Sequence, residues 1–191
     1  MRQPLREKSR ATYANVLAAP RHLVAEIIDG ELHLSPRPTF PHARAGGELF
    51  GELREPFGRG RGGPGGWIFL LEPELHLGDE PSILVPDIAG WRRERMPVVE
   101  SVPYTTLAPD WLCEVLSPST ESFDRTQKLA VYARAGVGHC WFVNPIARTL
   151  EVLRNQGDGR WVVLSSHGEN AKVRAEPFEA MELDLTLLWI S

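Results

Sequence analysis

The chain has 191 residues, of which 42% are hydrophobic and 24% charged, with a net charge of −4. That length suits one domain with a sizeable core. The charge balance excludes a global pull toward nucleic acid or an acidic membrane, so a nucleic-acid role needs a local basic patch. No apolar stretch approaches a membrane span, and no apolar region follows the charged start MRQPLREKSR, so neither an anchor nor a signal peptide is expected. Cys113 and Cys140 both sit in apolar runs. They read as buried thiols of a reduced, cytoplasmic protein, not as a disulfide scaffold or zinc site.

Residues 1–20 are polar, then Ala-rich, and predict a mobile start with one short helix. Asp29-Gly30 separates two apolar-rich arms within 24–35 and predicts a hairpin. Ala45, Leu49 and Leu53 recur at four-residue spacing and predict a helix over 42–57. The stretch GRGRGGPGG, 58–66, is a loop carrying Arg59 and Arg61. Strands follow over 67–77, interrupted at Pro73, and over 83–91, with Asp87 inside the second. The charged stretch 92–109 reads as loop, and 111–116 as an apolar strand broken by Glu114.

A helix is expected over 124–135, with Asp124 and Gln127 as a capping box and Gly136 as its C-cap. A strand over 139–144 and a hairpin, 149–154 with 160–166, come next. The tail, 177–190, reads as a strand entering a short helix. This order gives a mixed α/β or α+β sheet with few helices.

A carboxylate in a buried strand is costly unless it is paired or coordinated. Glu114 is therefore the first residue to question, with Asp87 and Lys128 as its candidate partners. Strand alternation puts Leu112, Glu114 and Leu116 on one face and Cys113 and Val115 on the other. If the strand holding Asp87 pairs with it, two carboxylates converge and can hold a hard cation such as Mg²⁺. Each residue also has a plainer reading. Asp87 can end a strand, Glu114 can pair with an arginine, and Lys128 can pair with Asp124 one helical turn away. His42 can cap a helix or sit in the core. Arg59, Arg61, Arg92, Arg93 and Arg95 are either a solvated rim or the basic surface that phosphates need.

The ordered set Val85-Pro86-Asp87, WLCEVLSPST at 111–120, Asp124, Lys128, YARAGV at 132–137 and WFVNP at 141–145 resembles the Uma-two family of endonucleases. The hairpin from Glu26 to Leu34 followed by His42 matches its N-terminal part. The resemblance covers roughly residues 23–190 and implies the PD-(D/E)XK, restriction-endonuclease-like fold: a central mixed β-sheet flanked by helices, with additional N-terminal and C-terminal hairpins. It makes 1–22 a mobile segment and 23–191 a single domain.

It also implies catalytic roles for Asp87, Glu114 and Lys128. Asp87 and Glu114 would be ligands of Mg²⁺ or Mn²⁺, and Lys128 would position the attacking water. The fold's usual lysine, two residues after the acid, is replaced here by Leu116, and the resemblance moves it to Lys128 on the following helix. Glu31, Glu48, Glu72 and Glu74 compete for a further acidic role, and Glu31 ranks first because the matching hairpin holds it. The expected activity is hydrolysis of nucleic-acid phosphodiesters, with DNA as partner, by a homodimer with no membrane association. The rival expectation is a non-catalytic oligomeric binding or assembly module on the same scaffold. A basic rim around Asp87 and Glu114 would favour the nuclease.

Overall fold

The computed structural model describes residues 10–96 and 101–189. Within the 1–22 segment, Tyr13–Leu17 form a short helix, α1, and residues 1–9 lie outside the described part. Strands β1 (Leu23–Ile28) and β2 (Glu31–Pro36) pair antiparallel through the Asp29-Gly30 turn. Both turn residues take positive φ, which the Gly tolerates freely and Asp better than most residues. Helix α2 (Phe40–Leu53) follows, closed by a π turn at Arg54–Gly58. Ala45, Leu49 and Leu53 are fully buried on its inner face, as their spacing requires.

The first of the two strands expected next is interrupted at Pro73 as read, and the second, expected to be continuous, is cut as well. The first becomes β3 (Trp67–Leu71) and β4 (Glu74–Leu77), broken at Pro73. The second becomes β5 (Ser82–Leu84) and β6 (Ile88–Arg92), broken at Pro86. Proline cannot donate to a ladder, so each break is a corner where the chain leaves one sheet for another. Asp87 therefore stands at a corner between strands, not inside one. The Glu72 N–H donates to the Asp87 carbonyl at 3.0 Å and ties the two corners together.

Short strand β7 (Tyr104–Thr105) lies in the stretch read as loop. Strand β8 (Trp111–Val115) is buried along its whole length. Helices α3 (Glu121–Phe123) and α4 (Leu129–Arg134) flank a π turn at Asp124–Lys128. The helical region thus begins before Asp124, with Thr120 at its N-cap, and the expected Asp124 capping box is absent. Gly136 does end the region, at φ +80°. Strands β9 (His139–Asn144), β10 (Thr149–Asn155) and β11 (Trp161–Gly168) complete the large sheet. Strands β12 (Lys172–Val173) and β13 (Leu183–Asp184) form a small ribbon, and a 3₁₀ turn at Leu185–Leu188 ends the tail.

Two mixed sheets result, in the orders β2-β1-β5-β4-β7 and β11-β10-β9-β8-β6-β3. In the larger sheet β8 runs parallel to β9 and antiparallel to β6. The fold is mixed α+β with few helices. Alternation along β8 separates two cores. Trp111, Cys113 and Val115 join α2 and the C-terminal tail residues Phe178, Leu183, Leu185 and Leu188. Leu112 and Leu116 join Val131 and Tyr132 of α4 and β4–β5 residues of the smaller sheet. Cys113 and Cys140 are free and buried.

Candidate active site

Glu114 shares its strand face with Leu112 and Leu116, so it points toward the helical region after β8. The pairs Ile88↔Cys113 and Ala89↔Leu112 fix the β6–β8 register. One step beyond the last pair, Asp87 comes level with Glu114. Asp87 Oδ2 accepts the Val115 backbone N–H at 2.7 Å, and its Oδ1 lies 2.6 Å from His42 Nε2. His42 is therefore a residue of the site, carried there by the first turn of α2.

Lys128 reaches Glu114 from the π turn. Its Nζ lies 2.8 Å from Glu114 Oε1, 3.2 Å from Glu26 Oε1 and 3.5 Å from Asp124 Oδ1. Tyr132, one turn further on, donates its hydroxyl to Glu114 Oε1 at 2.6 Å. Asp124, Lys128 and Tyr132 recur every four residues and so share one helical face. Glu26 Oε1 also accepts the Val85 N–H at 2.8 Å. Glu26, Glu114, Asp124 and Lys128 are all buried, at 4%, 2%, 4% and 3% exposure. The Asp124–Lys128 pair is thus a buried contact and not a surface one.

Three buried carboxylates face one ammonium. Burial pushes the Glu114 carboxyl well above its ordinary range, and Lys128 offsets only part of this. Burial also raises Asp124, again against the pull of Lys128. For Lys128, burial works to release the proton, but Glu114, Glu26 and Asp124 outweigh it and hold the ammonium well above its usual value. Burial, reinforced by Glu114, raises the Tyr132 phenol well above its usual value and keeps it a hydrogen-bond donor.

These groups lie at the foot of a cleft of about 490 Å³ whose lining includes Asp87, Glu114, Lys128, Glu26, Asp124 and His42. Glu31 stands apart, at the turn end of the hairpin opposite Ile28, and is not among the lining residues. The hairpin contributes Glu26 instead, because Glu26 faces inward while Glu31 is exposed. Among the other candidate acids, Glu72 lies on the rim, 3.9 Å from Arg37. Glu48 pairs with Arg44, and Glu74 pairs with His76. A signal for Glu26 was present in its flanks, Ala25 and Ile27-Ile28, which mark a charge inside an apolar strand as surely as those of Glu114 do.

The expected arginine rim does not surround the cleft. Arg92 stacks over Trp67 at 4.2 Å, Arg93 donates to the Gly58 and Trp67 carbonyls, and Arg95 pairs with Asp110 at 2.7 Å. Arg59 and Arg61 both pair with Glu55. Because β6 is antiparallel to β8, Arg92 lies at the opposite strand end from Asp87. This removes the basic surface that the five arginines were expected to supply.

The donor chemistry suits a hard divalent cation, since carboxylate oxygens converge with too little positive charge to balance them. Among the described residues, no group of three or more His, Cys, Asp or Glu side chains is set as a preformed metal cage.

A family model, Uma2, described as "Putative restriction endonuclease", matches residues 12–187. The chain belongs to the Uma2 family. A structural neighbour is the crystal structure of a "putative nuclease belonging to DUF820" from Anabaena variabilis ATCC 29413. It shares 24% identity at a TM-score of 0.73, over 93% of this chain and 97% of that one. That likeness supports the fold. No curated protein matches the chain. Among the described residues of this Uma2 chain, no helix is long and apolar enough to cross a membrane.

Proposed function

We propose that the chain is a metal-dependent nuclease that hydrolyses phosphodiester bonds of nucleic acid, with DNA as substrate. Asp87 and Glu114 would hold Mg²⁺ or Mn²⁺. Such an ion neutralises charge on a phosphate oxygen and lowers the pKa of a water. Lys128 orients the attacking water and stabilises charge developing on the phosphate. Asp87 is held in one rotamer by His42 and the Val115 N–H, and Glu114 by Tyr132 and Lys128. Glu26 takes the further acidic role by holding the Lys128 ammonium in place. A homodimer in the cytoplasm completes this reading, since two clefts can serve two strands.

One observation carries the proposal. Lys128 comes from the helical region to within 2.8 Å of Glu114, in the cleft that Asp87 also lines. A four-methylene stem gives the ammonium the reach that position 116 no longer supplies. The test is cleavage of labelled DNA in Mg²⁺ or Mn²⁺ by wild type, Asp87→Ala, Glu114→Gln and Lys128→Met. Only wild type is expected to cleave, while Lys128→Met keeps its Mn²⁺ affinity. Cleavage by Lys128→Met at the wild-type rate would remove the lysine from the mechanism.

A second reading is favoured by the closeness of the Lys128 contacts and by the arginines lying away from the cleft, where a basic rim would have favoured the nuclease: the cluster is a structural ion pair on a non-catalytic binding scaffold. Absence of cleavage together with absence of Mn²⁺ binding would support it.

A further inference from the structure

The cleft has few cations. Its lining holds Arg37 and Lys128 as its Lys and Arg residues, and Lys128 is enclosed by three carboxylates. Arg37 is itself turned partly to the protein, donating to the Arg21 carbonyl at 3.3 Å and facing Glu72. A duplex is gripped by rows of cations on its two phosphate backbones. Among the described residues, no such row lines this cleft.

Much of the surface of the lining is apolar all the same. Pro36, Pro38, Pro41, Pro118, Pro145 and Ile146 contribute to it, and Ile146 is 66% exposed. A volume of about 490 Å³ is that of a site for a drug-sized ligand, the size class of one nucleotide. Unpaired bases have open faces that can pack against apolar side chains in a pocket. A base inside a duplex has no free face to offer.

We propose that the cleft takes one unpaired nucleotide at a time, so that the substrate is single-stranded or locally opened DNA. The inference rests on the nuclease reading and narrows it. The base packs against the proline and Ile146 surface, and its phosphate lies at the foot, where Asp87 and Glu114 would hold the metal. A dimer fits this scheme, because each cleft then serves one separated strand.

The experiment measures cleavage in Mn²⁺ of one labelled mixed-sequence DNA in three forms: single strand, blunt duplex, and duplex with an unpaired tail. We expect kcat/KM for the single strand and the tail to exceed that for the blunt duplex by roughly ten-fold or more. The plot of log(1/KM) against log salt should have a slope of about −0.7 to −1.4, the release expected from one or two phosphate contacts on a single strand. Ile146→Ala should raise KM by about three-fold or more while changing kcat much less, because apolar contact area with the base is lost. Equal or faster cleavage of the blunt duplex, or a slope steeper than about −3, overturns the inference and leaves the nuclease reading standing. Failure to cut any form, with Mn²⁺ bound, overturns the nuclease reading and this inference with it.

Discussion

Lys128 is surrounded by more negative charge than it can balance, and much follows from that one imbalance. Glu26, Glu114 and Asp124 all lie within 3.5 Å of its Nζ. Removing the ammonium leaves these carboxylates buried without a cation. Lys128→Met should therefore lower stability by about 3–5 kcal/mol at pH 8 in urea denaturation. The loss should shrink at pH 5, where Glu114 and Asp124, both raised by burial, take protons more readily and need the partner less. A loss that is independent of pH would mean that the cluster is neutral already.

Glu114 gives the second prediction. Its folded-state pKa is raised above the ordinary 4.5 by burial. Above that value the unfolded chain has released the proton while the folded chain keeps it. Folding stability then falls as pH rises, until the folded carboxyl also ionises. Glu114→Gln removes this term. The difference in Tm, variant minus wild type, should grow more favourable to the variant between pH 5 and pH 9 in metal-free buffer. A difference that moves the other way would show that Lys128 outweighs burial.

At the scale of elements, the site depends on where strands stop. Pro73 and Pro86 cut two strands at the sheet junction, and the second cut frees Asp87 to turn back onto β8. The π turn at Asp124–Lys128 aligns Lys128 with Tyr132 over Glu114; such insertions often mark functional positions. Strand β6 must also lie close to its neighbours. A Cβ on Gly90 would meet the Phe69 ring at 2.9 Å and Trp111 at 3.3 Å. Gly90→Ala should cost about 1–3 kcal/mol by overpacking and shift the β6–β8 contact that places Asp87. Its measure is the thermal midpoint beside Mn²⁺ affinity, and a variant unchanged in both would remove the packing argument.

These elements were unevenly legible in the sequence. The alternation at 111–116 and the spacing of Ala45, Leu49 and Leu53 predict the observed faces, because burial follows period. Pro73 marked an interruption but Pro86 was read through, and no local signal says that the chain changes sheets at either. Asp87 therefore read as mid-strand. His42 read as a cap or core residue because its partner is 45 positions away, beyond any local pattern. Glu26 was not among the candidate acids, although its apolar flanks marked it as an inward-facing charge; Glu31 ranked first for its place in the hairpin alone.

For the whole molecule, the large sheet separates two cores, and the tail closes one of them. Phe178 touches the rings of Phe57, Trp67, Phe69, Trp111 and Trp141 at centroid distances of 4.8–5.7 Å. Trp67, Trp91, Trp111, Trp141 and Trp189 are all buried core residues. Phe178→Ala should cost about 3–5 kcal/mol, close to the whole stability of many domains. A loss under about 1 kcal/mol in chemical denaturation would mean that the tail is dispensable. The arginines fall on the far end of the sheet from the cleft, a fact of topology that charge counting along the chain does not reveal.

The most direct test of the central claim is a calorimetric titration of Mn²⁺ into wild type, Asp87→Ala and Glu114→Ala. The account predicts that wild type binds and that each single substitution abolishes binding, because the two carboxylates form one site. Equal binding by all three proteins, or none by wild type, would contradict it and leave the Glu114–Lys128 pair as architecture.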